Sequence, residues 1–430
     1  MISPRTFVNK AGVEYDATKN TIIFAEDLNN MNANISELSE DIGNIPVPPV
    51  SALKITYSGS PQTPFILPIT MNSIAVVPVA SVGGQATYTA LNGPTITNFS
   101  YTELSWIMGS YISRLSFDDL VGVSGIFNPS ALGYLDGLYA NELVSIGGSF
   151  SPSNMFSLAV FEFNKLKYVA GSFNPATFNT IVSLHFDSLE YVGGAFSPNG
   201  MTICEYLVIN ALKTVGGSFS PSTFPALHSL YGNNLVSIGG TFIPQSFANC
   251  ENLYFNNLET VGGTFSPSNF PLVTEFSFDK LIKVGVNFSP SNMNSLEYLF
   301  VTSLQYVVGA VGISIMSKLL GINFSSMISY GSTIMITGSL GNLTSIVLGT
   351  VGTLKSILGA TINCSGQKLT SACVNDILAL LVSLDGTNGT TTWGTGKALT
   401  INGGTNGAPS GQGIINKATL IARGATVTTN

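Results

Sequence analysis

The sequence predicts a repeat solenoid, mainly β, and three observations carry that prediction. Phenylalanines stand at Phe127, Phe150, Phe173, Phe196, Phe219, Phe242, Phe265 and Phe288, each 23 residues after the last. A proline follows each by two residues (Pro129 to Pro290), and a leucine precedes each by seven (Leu120 to Leu281). The phrase around them returns with little change, as "IGGSFSPSNM" from Ile146, "VGGSFSPSTF" from Val215 and "VGGTFSPSNF" from Val261. A fixed period of this length marks units that stack only on their neighbours. Independent loops would tolerate insertions, whereas stacked coils cannot drift in phase.

The elements follow in chain order. Residues 1–45 hold an amphipathic segment with apolar positions at Leu28, Met31, Ile35, Leu38, Ile42 and Ile45. The gaps alternate between three and four, the seam of a short coiled-coil helix. Glu26 and Asp27 suit its N-terminus, and Gly43 and Pro46 close it. A single amphipathic helix docked on another surface fits the same spacing. Residues 46–100 open on the Pro-rich, semi-rigid hinge "IPVPPV". A stretch rich in Thr, Val, Pro and Gly follows, read as a small β-module.

Residues 101–310 are the regular solenoid. In "LYFNNLETVGGTF" (Leu253 to Phe265), Leu253 and Phe255 alternate with Tyr254 and Asn256, the period of a short strand. Successive strands are expected to form one parallel sheet. The Gly pair allows a tight turn or a close backbone approach. The Phe packs inward, and the Pro blocks a long helix, so the returns have room only for short helical or irregular turns. A column of Asp118, Asn141, Asn164, Asp187, Asn210, Asn233, Asn256 and Asp279 reads as a ladder capping backbone groups at the strand ends. A cation row would call for more carboxylates. Residues 311–366 are degenerate coils. Residues 367–430 form a C-terminal α+β cap: Val374, Ile377, Leu378, Leu381 and Leu384 have helical spacing, and residues 411–423 read as a second helix.

Composition narrows the function. Charged residues make up 9%, hydrophobic residues 45%, and mean hydropathy is +0.37. The apolar residues are dispersed at repeat spacing, which argues against membrane insertion. The start "MISPRTFVNK" lacks the apolar run of a secretory signal. Such a chain is expected to bury surface against copies of itself or a larger assembly. Net charge is −7 without a basic cluster, so no nucleic-acid partner is expected. Cys204 and Cys250 lie two coils apart, beyond disulfide reach, and read as core; Cys364 and Cys373 can pair. No zinc pattern or cofactor motif stands out, and no cofactor is expected.

Three resemblances follow from these segments. The coil, as in "FANCENLYFNNLETVGG" (Phe247 to Gly263), resembles the 23-residue, BspA-like class of leucine-rich repeats. The insistent "GGxFxP" and the shortage of charge depart from that class. "AGVEYDATKNTIIFAEDLNNMNANISELSEDIG" resembles the virion-attachment segment of phage tail fibres and tailspikes. "TINGGTNGAPSGQGIINKATLIARGATVTTN" is similar to the C-terminal segment of phage tail and appendage proteins. The resemblances imply a virion protein, usually a homotrimer, attached to other virion proteins by its N-terminus and binding a host surface glycan or protein. A purely structural virion or baseplate component and a cell-surface adhesin are the alternatives.

Catalysis is not expected. A polysaccharide depolymerase needs two carboxylates across one groove. Glu162, Glu205, Glu251, Glu275 and Glu297 make no pair at one outward position of adjacent coils, and His185 and His228 lack a nucleophile partner. The outward positions of the strands are more informative. There Tyr206, Tyr231, Tyr254, Tyr298 and Phe300 form an aromatic strip. Such a strip serves as a receptor site or as a subunit interface.

Overall fold

The computed structural model describes residues 52–60, 69–71, 85–89, 96–100 and 111–430, apart from 118, 119, 124, 131 and 341. The chain winds as a parallel β-solenoid of about ten turns. The expected coiled-coil seam from Leu28 to Ile45 lies outside the described residues.

The expectation of one parallel sheet needs correction, because the coil has three hydrogen-bonded walls. The first wall is the predicted strand, running from Gly137–Tyr139 through Asn252–Tyr254 to Ser345–Val347. The second is a column of two-residue strands such as Thr214–Val215 and Thr260–Val261, which continues to Ser356–Ile357. The third is the Phe column, bridged coil to coil from Phe127↔Phe150 to Phe288↔Val311. A closed coil buries backbone on every side, so each wall must find partners for its N–H and C=O groups. The only partners at hand are the coils above and below.

The walls enclose a core of stacked rings. The eight phenylalanines of the third wall form a continuous column with centroids 4.9–5.6 Å apart and planes within 19°. A second aromatic set meets them edge-on. Phe163, Phe186, Phe255 and Phe278 approach Phe150, Phe173, Phe242 and Phe265 at 4.7–5.0 Å and 80–88°. Edge-to-face and offset-stacked pairs each add about 0.5–1.5 kcal/mol beyond area burial. The strict period of the Phe thus has an energetic cause: a slip would leave a ring without its neighbours.

The Gly pair serves close approach. A Cβ on Gly171 would lie 2.6 Å from the Gly148 carbonyl carbon, and one on Gly217 would lie 2.7 Å from that of Gly194. The left-handed turn falls elsewhere, after the Pro. Asn154, Thr177, Gly200, Thr223, Ser246, Asn269, Asn292 and Ile315 all have φ between 55° and 69°. The Asn/Asp column is a backbone ladder only in part. Asn233 Oδ1 accepts from the Asn256 N–H at 3.5 Å. Four carbonyls there are capped by the neighbouring residue of the next coil: Ser188 on Asn164, Asn234 on Asn210, Asn257 on Asn233 and Ser303 on Asp279. A fuller ladder runs beside the Gly pair. There Ser149, Ser172 and Ser218 hydroxyls accept the N–H groups of Ser172, Ala195 and Thr241.

Both ends of the solenoid extend its walls. Tyr111–Phe117 pairs parallel with the first wall and antiparallel with Ala52–Ser60, which pairs with Gln85–Thr89. The strands of the expected β-module therefore continue the solenoid's sheets. At the other end the period loosens from 23 to 24 and then 27 residues, as the strands at 321–323, 345–347, 329–330 and 356–357 show. The third wall continues through Thr361–Asn363 and Ala398–Ile401 to Thr426–Thr429. Helix α1 (Ser371–Val382) buries Val374, Ile377, Leu378 and Leu381 as expected, and Thr370 caps its N-terminus. Helix α2 (Gln412–Ala422) occupies the span read as a second helix. All four cysteines are buried and free, so Cys364 and Cys373 do not pair.

Candidate functional site

The first wall places side chains of the strip outward because its strands alternate in and out. Leu207, Leu230, Leu253, Phe276 and Leu299 point inward and are buried, while Tyr206, Tyr298 and Phe300 are about half exposed, at 56%, 50% and 47%. Tyr231 is exposed at 40%, and Tyr254 is half-buried. All five predicted residues share this wall, but not as one continuous strip.

Two aromatic plates stand out. Tyr231 and Tyr254 occupy one register position in adjacent coils, and their rings stack at 5.4 Å and 9°. Beside them, on the same outward face, the Asn252 side chain donates to Ser229 Oγ at 2.9 Å and accepts from the Tyr254 hydroxyl at 3.5 Å. Desolvation, the Glu275 carboxylate and Tyr231 hold the Tyr254 hydroxyl above the usual phenol range. The second plate is Tyr298 and Phe300, with centroids 5.2 Å apart and planes at 49°. Gly321 in the next coil lies under both. A Cβ there would meet Tyr298 at 3.3 Å and Phe300 at 3.5 Å.

Between the plates lies the Glu275–Ser277 strand. It pairs with Asn252–Tyr254 but has no ladder to Tyr298–Phe300. Ser277 donates to Asp279 Oδ1 at 3.0 Å. The first wall is thus interrupted here, as it also is between Val160–Glu162 and Ser183–His185. Sequence reasoning found the five aromatics but missed this step; Ser277 stands between Tyr254 and Phe300 in a row that also holds Glu162, His185 and Val208, so its short side chain gave no distinct signal.

The charged residues weighed for catalysis are dispersed. Glu162 accepts from the Asn141 side chain at 2.9 Å, and His185 lies 3.7 Å from Asp187. Glu205 and Glu251 share one column two coils apart, with His228 between them. Among the described residues no group of three His, Cys, Asp or Glu side chains is placed to hold a metal ion. No helix among the described residues is long and apolar enough to cross a membrane.

The C-terminal phrase turns out to carry architecture. Asn406 is buried, donating to the Cys364 and Ile401 carbonyls and accepting from the Leu369 N–H at 2.9 Å. Arg423 donates to the Val382 and Leu384 carbonyls, capping the C-terminus of α1. Asn430 donates to the Asn406 carbonyl at 2.6 Å and accepts from the Gly403 N–H at 2.8 Å. These bonds lock the two helices and the last strand into one unit. Comparison with protein-family models, with curated proteins and with solved structures finds no match to this chain.

Proposed function

We propose that the protein is a non-enzymatic structural subunit of a phage tail fibre or spike, held to the particle by its N-terminus and presenting its first wall to the host surface. The observation that carries this reading is the pair of ends in the sequence, each resembling a phage appendage segment, around a long solenoid. The low charge, 9% of residues, suits a chain that shares surface with copies of itself, and we read it as a homotrimer. The Leu and Asn columns support assigning the coil to the leucine-rich-repeat type.

Deletion of residues 1–44 tests the attachment. The truncated chain is expected to fold, remain soluble and be missing from purified particles on immunoblots. Incorporation at the full-length level would overturn the assignment. Light scattering with and without residues 1–45 locates the trimer contact: dissociation on truncation places it at the N-terminal helix. A trimer that survives places it on the solenoid or cap, and the aromatic plates then become interface.

A further inference from the structure

Helix α2 has an inverted amphipathic pattern. Its inward side consists of Gly413, Asn416 and Leu420, all buried. A Cβ on Gly413 would collide with the Asn375 side chain of α1, and the Asn416 side chain accepts from Gln412 at 3.2 Å. The outward side carries Ile414, Ile415 and Ile421, each exposed over half its surface or close to it, with Ala418 and Ala422 exposed beside them. Positions one, four, seven and eight residues apart share one helix face. A helix on the surface of a free-standing protein turns such a stripe to the core and its polar residues to water. An exposed stripe of this kind marks a surface that another chain covers.

Its features select a second copy of this chain. Ile414, Ala418 and Ile421 are spaced by four and then three residues, the seam of helices that pack along one another. The same alternation runs from Leu28 to Ile45 near the N-terminus. The stripe is free of charge. Lys417 is the one ionisable side chain of α2, and it is drawn aside to donate to Thr429 Oγ1 at 2.9 Å. Identical stripes therefore meet without opposing like charges, which other faces of a chain of net charge −7 would bring together. Ala418, at the centre of the seam, lets the helices approach closely. The neighbouring strand adds to this. Among the described residues Thr426–Thr429 pairs on one edge only, with Ala398–Ile401, and proteins normally cover such an edge. The contact is small. One helix of 11 residues covers far less than the about 800 Å² per partner of a free-standing interface. It suits copies already tethered near their N-termini, where linkage raises the local concentration.

We propose that α2 is a homotypic contact, through which copies of this chain meet at their C-terminal ends by the stripes centred on Ala418. The number of copies rests on the homotrimer reading above; the contact itself does not. In a trimer the three stripes face a common axis and the solenoids run parallel, so each chain is held at both ends.

Cysteine cross-linking of the full-length protein tests the contact. All four native thiols are buried, so an introduced surface cysteine reports alone. Under mild oxidation Ala418→Cys is expected to form an interchain disulfide, read on a non-reducing gel. Val351→Cys, at another exposed position, is expected to stay unlinked. One disulfide joins two chains of a trimer and leaves the third single, so about two-thirds of the chains should shift. Complete linkage would support the contact and replace the trimer by a dimer. Adding Ile414→Asp and Ile421→Asp should lower the linkage at least roughly tenfold with unchanged circular dichroism. Ile414→Ser with Ile421→Ser takes their place if the aspartates unfold the cap. Linkage of Ala418→Cys no greater than that of Val351→Cys would assign the face to a different protein and overturn the proposal, as would linkage that persists in the folded double variant. Particle incorporation after deletion of residues 1–44 is scored separately, so the contact and the appendage reading can fail independently.

Discussion

Each buried thiol is a single group with a consequence for the whole coil. Burial pushes Cys204 up to about 11, and Cys250 and Cys364 up to about 12, from an ordinary value of 9.0. A thiol raised in the folded state stabilises the fold in full below pH 9. That contribution is lost as pH climbs toward the folded value, because the unfolded chain ionises first. At pH 10.5 each of these thiols should have given up about 2 kcal/mol. The melting temperature should therefore fall steeply between pH 8 and 10.5. Cys204→Ala and Cys250→Ala together should flatten the slope while lowering stability at pH 7. An unchanged slope would mean the thiols are not protected as described. Cys204 and Cys250 were legible in the sequence as core, because Leu158 and Leu227 stand at the same place in other coils; Cys364 was not, since it was read as able to pair with Cys373.

At the scale of one coil, the corner after the Pro shows what the sequence hid. Its left-handed residues are Asn, Thr, Gly, Ser and Ile in turn, so no residue type marked the column. Asn and Gly tolerate that conformation, whereas a β-branched residue there is strained. Ile315 has φ 57° and is 46% exposed, so it gains little from burial. Ile315→Asn is expected to raise stability by about 1 kcal/mol in urea denaturation. A loss would mean its exposed side chain packs more than its exposure suggests. The second wall was hidden for a related reason. Two residues such as Thr260 and Val261 are too few to show alternation, and the Gly pair beside them suggested a turn. The Phe column and the first strand were legible because both bury large side chains at strict spacing.

For the whole molecule, stability is close to a sum over coils and their interfaces. Removing residues 197–219 excises one full period and joins Phe196 to Ser220 with every column in register. That variant is expected to keep a cooperative melt and the same circular dichroism per residue. Removing only residues 197–208 puts the Phe columns out of phase and should yield aggregated protein. Equal behaviour of the two deletions would refute the stacked-column account. The ends tolerate no such exchange. Arg423, Asn406 and Asn430 bind residues in α1, its flanks and the end of the Ala398–Ile401 strand, so the cap functions only as a unit. The unbroken ring column from Phe127 to Phe288 also bears on inheritance. Near-identical coils are near-identical stretches of coding sequence, and recombination between them adds or drops whole periods in frame. Each event would change the reach of the rod by one strand spacing, about 4.8 Å. The gene then works as a ruler with one graduation per coil, adjustable without redesigning either end.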